Sequence, residues 1–109
     1  MSGNKSLINS NTKMLILKLL EEEDMYGYQM IEQLDKRSNN IFALKAGTLY
    51  PLLHGLEKME LICSYDDRVE GARVRKYYSL TKKGKRELIE KKQEWKEYTD
   101  AINLVMQGV

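Results

Sequence analysis

Cysteine occurs only once in this 109-residue chain, at Cys63, so no internal disulfide can form and no metal site can rest on thiolates alone. Proline also occurs once, and seven glycines are too few for a long disordered linker. The longest apolar stretch, Met14 to Leu20, is interrupted by Lys18 and is far too short to span a membrane. These features favour a single cytoplasmic domain without cofactor or metal, in which Cys63 is a small core residue rather than a redox sensor.

Catalytic residues are equally scarce. The chain has one histidine, His54, and one cysteine, and its carboxylates form no cluster at catalytic spacing. A nucleophile and an activating base therefore cannot be paired convincingly. The sequence predicts a protein that is not an enzyme.

Charge is distributed unevenly, although the net charge is only +2. Residues 1–67 hold seven basic and ten acidic residues, and residues 87–109 hold three and five. Residues 68–86 hold eight basic residues and one acid, Glu70. A charge block is often only a solvated face, but next to a predicted hairpin it favours a polyanion partner such as DNA.

The hydrophobic pattern predicts three helices before this basic segment. Residues 1–8 are expected to form a flexible arm, and a helix then runs to about residue 23. Its apolar residues cover more than one face, which favours burial against both the core and a second subunit. A second helix is expected over 26–38 and a third over 47–59. The third helix has a buried stripe at Leu49, Leu52, Leu53, Leu56 and Met59.

A hairpin and a long helix follow. Strands are expected over 61–65 and 73–80, with Gly71 near the tip of the turn. Tyr78 and Leu80 should point inward, and Arg75 and Tyr77 outward. Thr81 can cap a last helix that runs to about residue 106. On it Trp95, Tyr98, Ile102 and Val105 have heptad spacing, with Leu88 one heptad before Trp95.

This order predicts a mainly α fold: a winged helix-turn-helix of three helices and a two-stranded β-wing, with an additional C-terminal dimerisation helix. Residues 1–80 would form the DNA-binding domain with its N-terminal arm and helix. Residues 81–109 would form the dimerisation helix.

Three short segments carry specific motifs: YGYQ at residues 26–29, GTLYP at 47–51 and RKYYSLT at 75–81. Together with Trp95 they closely resemble the PadR family of bacterial transcriptional regulators, over roughly residues 12–106. The single short C-terminal helix resembles the smaller subfamily, and this implies homodimers in which the last helix packs on the first helix of the other subunit. The sequence departs from the family at Glu60, where glycine is usual, at Gly55, where a basic residue is common, and at Lys91-Lys92 beside Trp95.

The resemblance implies two functional surfaces. One would contact double-stranded DNA at a near-palindromic operator, through Tyr28, Lys45, Thr48, Tyr50, Pro51, His54, Arg73, Arg75 and Lys76. The other would form the homodimer and a possible pocket for a planar small-molecule effector, through Met14, Leu17, Lys18, Trp95, Tyr98, Thr99 and Ile102.

Two functions remain open at this point. The first is a homodimeric DNA-binding transcriptional regulator, expected to be a repressor that responds to an effector. The alternative is a winged-helix protein-interaction module without DNA binding. The basic hairpin favours the first, because an interaction module has no need of it.

Overall fold

A computed structural model describes the backbone of residues 2–68 and 74–108, and the side chains of residues 11–67 and 74–108. The elements in chain order are α1 (Ser2–Glu22), β1 (Met25–Tyr26), α2 (Gly27–Arg37), α3 (Ala46–Lys58), β2 (Ile62–Arg68), β3 (Val74–Leu80) and α4 (Lys82–Met106). The strands form an antiparallel sheet in the order β1-β3-β2. The predicted mainly α winged helix-turn-helix is confirmed, and the sheet has one strand more than expected.

The first helix differs from its prediction at its start. α1 begins at Ser2, so the residues expected to form a flexible arm are helical. No proline interrupts residues 2–8, and once a helix is nucleated each further residue adds a hydrogen bond at low cost. The expectation of an unstructured arm was therefore wrong.

The core lies between the helices and one face of the sheet. α3 contributes its predicted stripe of leucines, and Tyr78 of β3 and Leu88 of α4 are fully buried beside it. Met59 was expected in the stripe, but its side chain is 43% exposed. It is the C-cap residue of α3, where the backbone leaves the helix, so the helical spacing no longer applies.

α1 is covered on more than one side by its own chain, since it contacts α2, α3, β3 and α4. Ile16, Leu17, Leu19 and Leu20 all lie in the core. Leu17 is completely buried there, so the expectation that it faces a second subunit is corrected. Among the described side chains of α1, Met14 and Leu15 are only partly buried and pack against the edge of the core.

The wing strands pair along their whole length, from Ile62 opposite Leu80 to Arg68 opposite Val74. Ile62 and Tyr78 face the core. Cys63 lies on the opposite face because side chains alternate along a strand, and it is exposed rather than a core residue as expected. Gly71, expected near the tip of the turn, lies outside the described residues.

Candidate nucleic-acid interface

The outer face of α3 is the first part of the site. Burial of Leu49, Leu52, Leu53 and Leu56 fixes the rotation of the helix and turns its other side to solvent. The exposed residues on that side include four of those expected to contact DNA: Thr48, Tyr50, Pro51 and His54. These four residues share the solvent-facing side of one α-helix, and an α-helix can enter a DNA major groove.

The start of α3 is also polar. Lys45 is the N-cap residue, is exposed, and makes no side-chain capping hydrogen bond. The first turn contains no acidic residue. The amide N–H groups at the start of a helix carry partial positive charge, so this end together with Lys45 favours a negatively charged partner.

Tyr50 has a structural role besides its exposure. Its ring lies against Gly27, the first residue of α2, and a Cβ atom at Gly27 would lie only 2.8 Å from Cζ of Tyr50. The absence of a Cβ atom at Gly27 therefore lets the Tyr50 ring lie directly against the start of α2. Tyr50 is still 39% exposed, so the residue expected to contact DNA also sets the position of α3 on α2.

Tyr28 follows one residue after this contact. Its side chain is 66% exposed in the first turn of α2. Its hydroxyl is free to reach a phosphate group, and its ring contributes little to packing.

The expected wing residues do not lie together. Arg73 lies outside the described residues. Arg75 and Lys76 are neighbours in β3 and so point to opposite faces of the sheet. Lys76 is exposed and stands opposite Asp66 of β2. Arg75 is half-buried, and its guanidinium carbon lies 4.3 Å from the centre of the Tyr26 ring.

The wing is attached to α3 by a side-chain hydrogen bond. Ser64 of β2 donates to the carboxylate of Glu57 over 2.9 Å. The basic residues at the start of α4, namely Lys82, Lys83, Lys85 and Arg86, are all exposed beside the end of β3. The Ser64–Glu57 hydrogen bond therefore joins the wing hairpin directly to α3.

A second surface surrounds Trp95. A cavity of about 380 Å³ is lined by Asn11, Met14, Lys91, Glu94, Trp95, Tyr98 and Thr99. An adjoining cavity of about 660 Å³ is lined mainly by apolar groups, from Asn11, Met14, Leu15, Lys18, Phe42, Leu88, Lys92, Trp95 and Lys96. Of the residues expected beside Trp95, Met14 and Thr99 share the first cavity with it, and Lys18 shares the second.

Sequence reasoning missed Phe42 in this second cavity. It lies in the loop between α2 and α3, where no periodic pattern places a side chain. The only hint in the sequence that Phe42 lines a cavity is that the chain has no other phenylalanine. Through Phe42 the cavity borders the loop that leads into α3.

The heptad residues of α4 divide into two groups. Leu88 is buried in the core, whereas the four later residues are exposed by 40% to 79% of their surface: Trp95, Tyr98, Ile102 and Val105. We call these four residues the α4 seam. In a single chain the seam is a large uncovered apolar strip.

Among residues 11–67 and 74–108, no three His, Cys, Asp or Glu side chains are grouped so that they could hold a metal ion. In the described part of the chain, no helix combines the length and apolar character that crossing a membrane requires.

Comparison with known proteins gives one matching family model, described as the transcriptional regulator PadR-like family, over residues 16–90. An uncharacterised protein of Lysinibacillus sphaericus is 39% identical over 103 residues, which are 94% of each chain.

Solved structures agree with this match. A PadR family transcription regulator from Clostridium difficile is 39% identical, with a TM-score of 0.76 over 86% of this chain and 96% of that one. A transcriptional regulator from Clostridium thermocellum is 32% identical, with a TM-score of 0.82 over 90% and 95%. A PadR family regulator from Eggerthella lenta is also 32% identical, with a TM-score of 0.81 over 96% and 89%.

Proposed function

The chain belongs to the PadR-like family of transcriptional regulators, and we propose that it is a homodimeric cytoplasmic repressor that binds a near-palindromic operator and responds to a planar effector. Its family and structural neighbours are regulators rather than enzymes. The observation that carries the proposal is the exposed face of α3, which is hydrogen-bonded to the wing hairpin, together with the four exposed basic residues at the start of α4.

α3 is proposed to enter the major groove with Lys45, Thr48, Tyr50, Pro51 and His54 toward the DNA. Thr48 and His54 can exchange hydrogen bonds with base edges, so they are the residues for sequence preference. Lys45 and Tyr28 are placed to contact phosphates, which orient a protein on DNA without selecting sequence. Arg73, Arg75 and Lys76 of the wing add positive charge along the backbone.

The α4 seam supports dimerisation. Four exposed apolar residues at heptad spacing are costly to leave in water and fit a second helix. Packing of α4 on α1 of a second subunit would place two copies of α3 in successive major grooves, about 34 Å apart. A two-fold symmetric protein of this kind fits a near-palindromic operator.

The cavities beside Trp95 support an effector site at the same interface. Trp95 is half-exposed there and offers a flat aromatic wall on which a planar molecule can stack. A molecule held between Met14, Trp95 and Thr99 would alter how α4 packs on its partner, and with it the spacing of the two recognition helices.

The test is binding to a DNA duplex from the region upstream of the protein's own gene, measured by fluorescence anisotropy over a series of salt concentrations. With roughly 6–10 phosphates contacted, affinity should fall about 10³–10⁵-fold between about 50 and 200 mM salt. Arg75→Ala should weaken binding to every duplex, whereas Thr48 or His54 substitutions should change the preferred sequence. Affinity that does not depend on salt, or equal binding by all variants, would contradict DNA binding by this face.

The effector is tested by Trp95 fluorescence, since the chain has no other tryptophan. A planar ligand that binds in the cavity should change Trp95 emission and the DNA affinity over the same concentration range. Quenching without any change in DNA affinity would remove the regulatory role.

A further inference from the structure

Three tyrosines form a continuous row across the outer face of the sheet. Tyr77 of β3 stands opposite Tyr26 of β1 on one side and opposite Tyr65 of β2 on the other. The rings of Tyr26 and Tyr77 meet edge to face at 5.5 Å, and those of Tyr65 and Tyr77 are stacked at 5.9 Å. Both arrangements are favourable for aromatic pairs. We call Tyr26, Tyr77 and Tyr65 the tyrosine row.

Charged groups attach to both ends of this row. The hydroxyl of Tyr65 donates a 2.7 Å hydrogen bond to Asp24, which lies just before β1. The guanidinium of Arg75 lies over the Tyr26 ring, an arrangement in which a cation is attracted by the electrons of the ring face. Each contact joins the wing hairpin to the short segment 24–26.

That segment leads directly into the helix-turn-helix. Tyr26 is the N-cap residue of α2, and the next residue, Gly27, receives the ring of Tyr50 from α3. Two consecutive residues therefore contact the two elements proposed to bind DNA. Tyr26 contacts Arg75 of the wing, and Gly27 contacts Tyr50 of α3.

We propose that Tyr26 is a positioning residue for DNA binding, which holds Arg75 and the wing at a fixed orientation relative to α3. The proposal rests on the proposed function, because it requires that α3 and the wing contact the same DNA. A long arginine side chain that is ordered before binding loses less conformational freedom on contacting a phosphate. Since Tyr26 acts through Arg75, it need not touch DNA itself.

The experiment compares the wild-type protein with Tyr26→Phe, Tyr26→Leu, Arg75→Ala and the double variant Tyr26→Leu/Arg75→Ala. DNA affinity is measured by fluorescence anisotropy on the upstream duplex at several salt concentrations. Tyr26→Phe keeps the ring face and should bind within about two-fold of wild type. Tyr26→Leu should weaken binding by about 2- to 30-fold, the range expected for loss of a cation–π contact.

The double variant separates positioning from a general loss of stability. If Tyr26 acts through Arg75, the double variant should bind no more weakly than the weaker single variant. The salt dependence should also differ between the single variants. Arg75→Ala should lower the slope of log affinity against log salt by about 0.9 for one lost phosphate contact. Tyr26→Leu should leave the slope near its wild-type value, because the charge is still present.

Thermal unfolding of each variant is recorded so that affinities are compared only where the protein is folded. Tyr65→Phe is the comparison within the row: it removes only the hydroxyl bonded to Asp24, leaves Tyr26 and Arg75 in contact, and should bind DNA more tightly than Tyr26→Leu. Effects of Tyr26→Leu and Arg75→Ala that multiply in the double variant would overturn the positioning role while leaving DNA binding intact. Failure of the folded wild-type protein to bind any duplex would instead overturn the proposed function, and the positioning role with it.

Discussion

The hydroxyl of Thr81 donates a 2.7 Å hydrogen bond to the backbone carbonyl of Glu60. The same hydroxyl accepts a 2.9 Å hydrogen bond from the amide of Gly84 and so caps the start of α4. One side chain thus joins the turn that ends α3 to the helix that follows the wing. Glu60, which accepts this bond, has a backbone conformation that glutamate rarely adopts.

Glu60→Gly is expected to stabilise the protein. Glu60 has a φ of +62°, and its amide and that of Leu61 bond back to Glu57 and Leu56, as in a Schellman motif. A residue with a Cβ atom pays roughly 1–2 kcal/mol for the left-handed conformation, which glycine adopts freely. The free energy of unfolding from urea denaturation should therefore rise by about 1 kcal/mol, at a fixed protein concentration.

Asn40→Gly is the matched control for this prediction. Asn40 also has a left-handed backbone, with a φ of +70°, but asparagine tolerates this region well. Its replacement by glycine should change the free energy of unfolding by only about a few tenths of a kcal/mol, because asparagine is little strained in this region. Equal gains at both positions would show that side-chain strain at Glu60 is not the cause.

Gly84→Ala and Gly55→Ala should change stability in opposite directions. A Cβ atom at Gly84 would collide with the carbonyl oxygen of Leu61 and lie 2.6 Å from Leu80 Cδ1, so alanine should cost about 1–3 kcal/mol. Gly55 lies inside α3, and a Cβ atom there would meet nothing within 4 Å. Alanine at Gly55 should gain up to about 1 kcal/mol from helix propensity. Thermal unfolding of the two variants checks both signs, and destabilisation by Gly55→Ala would contradict the open space beside it.

The phenol of Tyr65 should lose its proton at an unusually high pH. Its hydrogen bond to Asp24 is the main cause that raises its pKa from 10 to about 12, and burial and nearby negative charge add to the effect. A raised pKa in the folded state means that the contact stabilises the fold below pH 10 and loses this effect as the pH rises toward 12. NMR of ring-labelled tyrosine should show the Tyr65 phenol titrating near 12.

Asp24→Asn tests the cause of this shift. Asparagine keeps an acceptor oxygen but removes the charge, so the pKa of Tyr65 should move back toward 10. A Tyr65 pKa that is the same with either residue would show that Asp24 does not hold the phenol in its protonated form.

Regular periodic segments could be predicted from the sequence. The leucine stripe of α3 and the cap at Thr81 follow from local spacing and residue type, and both are present. β1 could not be found in this way, because two residues, Met25 and Tyr26, are too short for an alternating pattern to be detected. It forms because its backbone pairs with β3, which is distant in sequence.

In the candidate site too, features set by local spacing could be predicted, whereas contacts between distant residues could not. Exposure of Thr48 and His54 follows from the buried stripe on the other side of α3. The contact of Arg75 with Tyr26 joins residues that are far apart in the chain, and the alternation along the strand predicted only that Arg75 points outward. Leu17 was misassigned for a related reason, because an all-round apolar helix does not reveal which of its sides the same chain covers.

Ile102→Asp is expected to separate the proposed dimer into monomers. Ile102 belongs to the α4 seam, and a carboxylate buried between two subunits would lack a partner and be costly. Ile89→Asp is the matched control, because Ile89 is 65% exposed on the same helix but lies off the heptad positions of the seam. Light scattering after size-exclusion chromatography should give a dimer mass for wild type and Ile89→Asp, and a monomer mass for Ile102→Asp.

A two-fold operator needs two linked recognition helices, so Ile102→Asp should also bind the upstream duplex far more weakly. A dimer that survives Ile102→Asp would place the interface on another surface of the chain.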